Sequence, residues 1–207
     1  ERGWGTSTGG NLSCRCGDDV YATPTGGTLE ELEENCRLWL LTGGVGSSVA
    51  GNKRLQLQGS TGATGELAGV ISDYNESSTN NLYKIGTGAW TLSGDNTFKG
   101  NVLVENGILR LTHNNALGAG PKTAQAAYNA NNWNPQIHLD GASGDLTIPA
   151  DITFRTSNQR AGAIFNVAGN NTILGPVQMT SGDGDTALNS VSGKLTLAGS
   201  VYPPSDL

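Results

Sequence analysis

From Gly86 to Gly118 the chain reads GTGAWTLSGDNTFKGNVLVENGILRLTHNNALG. Apolar and polar residues alternate through most of it, the period of a strand with one face buried. A glycine or an asparagine breaks the alternation every few residues. Each break marks a bend, because glycine reaches positive φ without steric cost and asparagine tolerates it. Strands this short build either hairpins or the coils of a solenoid, and the choice between them governs what can be said about function.

The spacing recurs downstream. WTLSGDNTFKGNVLV laid on FNVAGNNTILGPVQM pairs Gly94 with Gly169, Asn96 with Asn171, Thr97 with Thr172 and Gly100 with Gly175, all at one offset of 75 (169 − 94). Apolar positions follow: Trp90 with Phe165, Leu92 with Val167, Phe98 with Ile173, Val102 with Val177 and Val104 with Met179. GILRL at 107–111 matches GKLTL at 193–197 at a spacing of 86, which predicts an 11-residue insertion within SGDGDTALNSV. Several short strands per period suit a coil in which each turn stacks on the last, a parallel β-solenoid. A β-sandwich of hairpins is the rival. The constant spacing across two glycines, one asparagine and one threonine favours the solenoid.

These residues carry a family resemblance. KIGTGAWTLSGDNTFKGNVLVENGILRLTHNNALG (84–118) resembles the autotransporter-associated β-strand repeat of passenger proteins. Lys84, Gly86, Gly88, Leu92, Ser93, Gly94, Asn96, Thr97, Phe98, Gly100, Gly107, Leu109, Leu111, Ala116, Leu117 and Gly118 match its pattern in order. Residues 162–199 resemble a degenerate second copy, and LAGVIS (67–72) the segment that precedes the first. The resemblance implies a right-handed parallel β-helix, export across the cell envelope and a surface role, but no reaction. It covers about 55–200. VYPPSDL closes the sequence without the roughly ten-residue amphipathic strands of a membrane barrel, so the expectation is a cleaved translocator or another export route.

Ahead of the solenoid, 1–27 reads as an extended Gly/Ser/Thr-rich arm with at most short strands. The segment 28–44 reads as a capping helix: Thr28 and Glu31 form a capping box, and Leu29, Leu32, Cys36, Trp39 and Leu40 share a face. The solenoid is expected over 45–202, with a tail at 203–207. All three cysteines lie before residue 37. Cys14 and Cys16 are too close for an easy bridge, so Cys36 with one of them is the expected disulfide.

Composition excludes several function classes. A net charge of −6 with 12 scattered basic residues argues against nucleic acid. No apolar run reaches the roughly 18 residues of a membrane span. Phosphate-loop, dinucleotide and nucleophile-elbow patterns are absent, so no catalytic residue and no cofactor are expected. His113 and His138 read as surface or turn residues, and Asp140, Asp145 and Asp151, with Arg155 and Arg160 beyond them, as turn carboxylates rather than a polysaccharide-cleaving ladder. Asp183 and Asp185 are weak Ca²⁺ candidates on a glycine-rich loop.

The leading expectation is therefore a non-enzymatic extracellular structural or adhesive rod of seven or eight coils. An uncovered last coil would lead it to self-associate head to tail. Trp4, Val20, Tyr21, Leu32 and Trp39 at one end, with Leu195, Leu197 and Val201 at the other, are the assembly candidates. The alternative is a glycan-binding or polysaccharide-active module, in which Tyr128 and Trp133 stack on the sugars of a surface glycan.

Overall fold

A computed structural model of the chain describes residues 53–73, 76, 78–127, 134–156, 159–180 and 185–203, with 159–161 in backbone only. It also describes the backbone of three short strands, β1 (Gly5–Thr6), β2 (Leu12–Cys16) and β3 (Asp19–Ala22). These pair antiparallel in sequence order, with Cys14 opposite Tyr21 and Cys16 opposite Asp19. The expected helix at 28–44 lies outside the described residues, among which no helix occurs.

The described residues from 53 onward are wound into coils. One sheet stacks β4 (Lys53–Leu57), β6 (Asn80–Lys84), β8 (Val102–Val104), β10 (Lys122–Ala126), β13 (Ile152–Thr156), β16 (Val177–Met179) and β19 (Val201–Tyr202). A second stacks β5 (Thr64–Leu67), β7 (Ala89–Leu92), β9 (Ile108–Leu111), β11 (Gln136–Asp140), β14 (Gln159–Ala168) and β17 (Thr186–Ser190). A third stacks β12 (Thr147–Ile148), β15 (Asn170–Ile173) and β18 (Lys194–Leu197). Every pairing in these three sheets is parallel, which excludes a sandwich of hairpins and makes the molecule an all-β parallel β-solenoid.

The six strands of the second sheet lie about five turns apart from first to last, and β19 opens one coil more. That is fewer than seven or eight coils. The reason is coil length: Val102 follows its partner Leu82 at an offset of 20 (102 − 82), whereas Ile152 follows Lys122 at an offset of 30 (152 − 122). The fourth coil divides the extra length: Ala124 to Gln136 spans 12 positions against 7 from Leu82 to Ala89, and Gln136 to Phe154 spans 18 against 13 from Ala89 to Val102.

Period-2 alternation sends every second side chain inward, and stacking turns those positions into columns. In the first sheet, Leu82, Val102, Ala124, Phe154 and Val177 lie one above another, all buried. In the second, Trp90, Leu109, Ile137 and Ile164 do the same, and Leu92, Leu111 and Leu139 form the adjacent column. Burying each valine, leucine, isoleucine or phenylalanine of these columns stabilises the fold by about 1.5–3 kcal/mol.

The register corrects two sequence pairings. Trp90 shares its inward column with Ile164, not Phe165, and Leu92 shares its column with Asn166, not Val167. A β-bulge opposite Leu139 and Asp140 holds Val167 as the extra residue, so the spacing is 74 before the bulge and 75 after it. Phe165 therefore faces outward, against the His138 ring at 5.0 Å between centroids. Likewise, GKLTL does not occupy the place of GILRL. Its strand, β18, is in the third sheet, and the coil-for-coil counterpart of Leu109 is Leu188 in β17, at an offset of 79 (188 − 109). Because Val104 and Met179 stand in one column at an offset of 75 (179 − 104), the insertion is four residues, not 11. A Gly followed by alternating leucines suits any side of the coil, so similarity alone could not say which.

Candidate functional surfaces: filled corners and an open end

Between strands the main chain bends, and its N–H and C=O groups lose their ladder partners. Buried side chains supply them. Asn96 Oδ1 accepts the Ile71 N–H at 2.8 Å from the coil below, and its Nδ2 donates to Ala116 O at 2.7 Å in the coil above. Asn171 repeats the lower half of the device, accepting the Leu146 N–H at 2.7 Å from the coil below, while its Nδ2 donates within its own coil, to Ala168 O at 2.8 Å. Both asparagines bond a residue 25 positions earlier, so this part of the repeat is equivalent in space as well as in sequence.

Two lysines and one further asparagine fill other corners. Lys84 is wholly buried, and its Nζ donates to Ile85 O at 3.0 Å, Gly86 O at 2.8 Å and Asn106 O at 3.0 Å. Lys122 Nζ donates to Leu117 O at 2.7 Å and to Phe98 O, and lies 3.8 Å from the centroid of the Phe98 ring. Burial pulls the Lys84 amine down to about 8. It pulls Lys122 down to about 7, against the raising effect of the Asp73 and Asp151 carboxylates. Asn166 Nδ2 donates to Gly169 O at 3.0 Å and Ser192 O at 2.6 Å, while its Oδ1 accepts from Asn171 at 2.6 Å. Gly107 permits the Lys84 corner: at φ +67°, a Cβ there would stand 2.5 Å from Gly88 O and 2.8 Å from Lys84 Nζ. None of these groups is placed to meet a ligand; they are internal struts.

The pattern matched Lys84 but gave it no role, and Lys122 and Asn166 went unnoticed. A signal was present. Lys84 and Lys122 sit at inward phases of the alternations NLYK and KTAQA, where a lysine is out of place unless its charge is served.

Among the described residues, the last coil leaves apolar side chains part-covered. Leu188, Leu195 and Leu197 are only partly buried, and Val201, in the column of the fully covered Val177, is 48% exposed. β17, β18 and β19 each end their sheet, and among the described residues nothing pairs with their outer edges. This brings the expected candidates Leu195, Leu197 and Val201 together. Trp4, Leu32 and Trp39 lie outside the described residues; Val20 and Tyr21 are on β3, described in backbone only.

The remaining candidates are dispersed or outside the described residues. Tyr128, Trp133, Asp183 and Cys36 fall among the latter; Cys14 and Cys16 are both on β2. Asp185 is exposed just ahead of β17. Among the described residues no group of three or more His, Cys, Asp or Glu is placed to hold a metal ion. Asp140 pairs with Arg110 at 3.3 Å, and Asp145 accepts the Asn170 N–H at 2.7 Å, so these carboxylates serve neighbouring coils. His113 is a turn residue. His138 is on β11, 9% exposed, its Nε2 2.8 Å from Gln136 Oε1. Burial, then the Arg110 charge, push its pKa down to about 4 despite Asp140, so it is neutral near pH 7. No helix among the described residues is long and apolar enough to cross a membrane.

Stacked parallel coils, glycine corners and an apolar axial core define a parallel β-solenoid. Residues 82–111 match the family model of the passenger-associated-transport-repeat, and the match spans β6 to β9, one coil and the start of the next. Repeat and solenoid together fit an autotransporter passenger repeat protein, and the match points to a secreted or cell-surface location. No curated protein and no solved structure matches the chain.

Proposed function

We propose that the chain is a non-enzymatic structural segment of a cell-surface passenger, and that its solenoid associates end to end through the last coil. The exposed apolar end of Leu188, Leu195, Leu197 and Val201, framed by three open strand edges, carries this reading. Such an edge offers main-chain donors and acceptors at the coil spacing of about 4.8 Å, and the leucines offer the columns a further coil would continue. A parallel coil with apolar residues at every second position satisfies both. Joining one end of a rod to the other end of its neighbour is a heterologous contact, which propagates instead of closing.

Electron microscopy and sedimentation of the full chain test it, beside Leu195→Asp and a chain lacking residues 1–27. Filaments or linear oligomers that shorten in both variants are expected. Dispersed monomers at high concentration overturn the reading, as do filaments indifferent to both changes. Retention on a polysaccharide panel, without assembly, would replace it with the glycan-binding alternative.

A further inference from the structure

The seven-stranded sheet carries two columns of side chains along its outer face. Leu82, Val102, Ala124, Phe154 and Val177 point inward, so the residue after each points out, and stacking sets Tyr83, Leu103, Gln125, Arg155, Gln178 and Tyr202 one above another. All six are half-buried. Beside them run Asn81, Asn101, Thr123 and Thr153. Asn81 and Asn101 each accept a main-chain N–H of the next coil through Oδ1, at 2.8 and 2.9 Å, which leaves Nδ2 as the group each has to offer a ligand.

Charge sets this face apart. The chain carries a net charge of −6, yet neither column holds a carboxylate. Arg155 stands in the first column with Gln125 beneath it and Gln178 above, and Arg54 heads the second from the first coil, over the Tyr83 ring at 4.9 Å. Arg155 Nε is buried without a hydrogen-bond partner, and no ion pair among the described residues includes this guanidinium. A buried charged donor left unserved is costly, and the planar guanidinium fork matches a carboxylate in geometry as well as in charge.

We propose that this face binds a linear carboxylated polysaccharide laid along the solenoid axis, with an acid group of the polymer on Arg155. Periodicity selects the polymer. Stacked strands repeat at about 4.8 Å, close to the advance of one ring in an extended pyranose chain, so successive sugars meet successive coils, whereas an extended peptide advances about 3.3 Å per residue and drifts out of step. A peptide strand would also seek an open sheet edge, and β6 to β16 are paired on both sides. The amides of Gln125, Gln178 and Asn101 and the hydroxyls of Thr123 and Thr153 supply the donors and acceptors that sugar hydroxyls need, and Tyr83 and Tyr202 offer rings for the C–H faces of sugars. The face lies on the flank of the coils, so it serves a single rod and an assembled one alike.

Affinity electrophoresis and calorimetry of the full chain with carboxymethylcellulose and hydroxyethylcellulose test this, since the two polymers share a backbone and differ in charge. Binding of the first and not the second is expected, weakening as salt rises. Arg155→Gln should weaken it by about tenfold or more. Gln125→Glu, which sets a carboxylate against Arg155 from the coil below, should do the same with the arginine still in place. Arg110→Gln removes the same charge from the outer face of the second sheet and should bind as wild type, as should Leu195→Asp at the apolar end. Absence of binding, equal binding of both polymers, an equal loss in Arg110→Gln, or a loss confined to Leu195→Asp overturns the proposal. Polyglutamate bound as tightly as carboxymethylcellulose does so too, by putting an acidic peptide in the polysaccharide's place.

Discussion

Replacing Asn96 by alanine tests whether corner side chains, rather than strand pairing alone, hold the coils together. The side chain is 2% exposed and bonds the coil below through Ile71 N–H and the coil above through Ala116 O. Truncation leaves a buried donor and a buried acceptor unserved, each costing about 1–3 kcal/mol. The expected loss is about 2–5 kcal/mol. Asn101 is the control, since it is exposed and its Oδ1 accepts one N–H, that of Thr123 at 2.9 Å. Water can replace that bond, so Asn101→Ala should cost about 0.5–1.5 kcal/mol. Urea unfolding followed by circular dichroism, with the slope unchanged between variants, gives both numbers. An Asn96→Ala loss no greater than that of Asn101→Ala would refute the strut reasoning, and Asn171→Ala, which likewise leaves a buried N–H of the coil below unserved, should also exceed Asn101→Ala.

Gly100→Ala should fold poorly or melt far below wild type, because its Cβ would stand 2.0 Å from Asn80 O of the coil beneath. Gly62→Ala meets nothing within 4 Å and carries only the strain of φ +83°, about 1 kcal/mol; comparable melting temperatures for the two would contradict the close-approach argument. Ile164→Ala, in the core, should lose about 2–5 kcal/mol, and Phe165→Ala, on the outer face, less than about 1.5; the reverse order in denaturant midpoints would restore the bulge-free register.

The alternation of NLYKI, AWTL, NVLV and ILRL, punctuated by Gly86, Gly88, Gly100 and Gly107, was enough to read strands, bends and stacking from the sequence. Those signals are local: period 2 follows from the pleat, and glycine from positive φ or from a backbone passing too close for a Cβ. The recurrence of Gly-x-Asn-Thr correctly carried Asn96 to Asn171, because both occupy the same corner and bond the coil below. Which residues face one another across coils was not local. The bulge at Val167 and the four extra residues ahead of β17 shift the register without disturbing the pattern on either side, so Phe165 and GKLTL went to the wrong places. Nor could the sequence show what a buried lysine does. At Lys84 and Lys122 the alternation points a charge inward, but only the stacking of coils of unequal length brings the Asn106, Phe98 and Leu117 carbonyls to meet it. The open end has the same origin. Leu195 and Leu197 read as ordinary core residues along the strand, and they are left half-covered because burial in a solenoid depends on whether another coil lies above, a relation between turns that no single strand records.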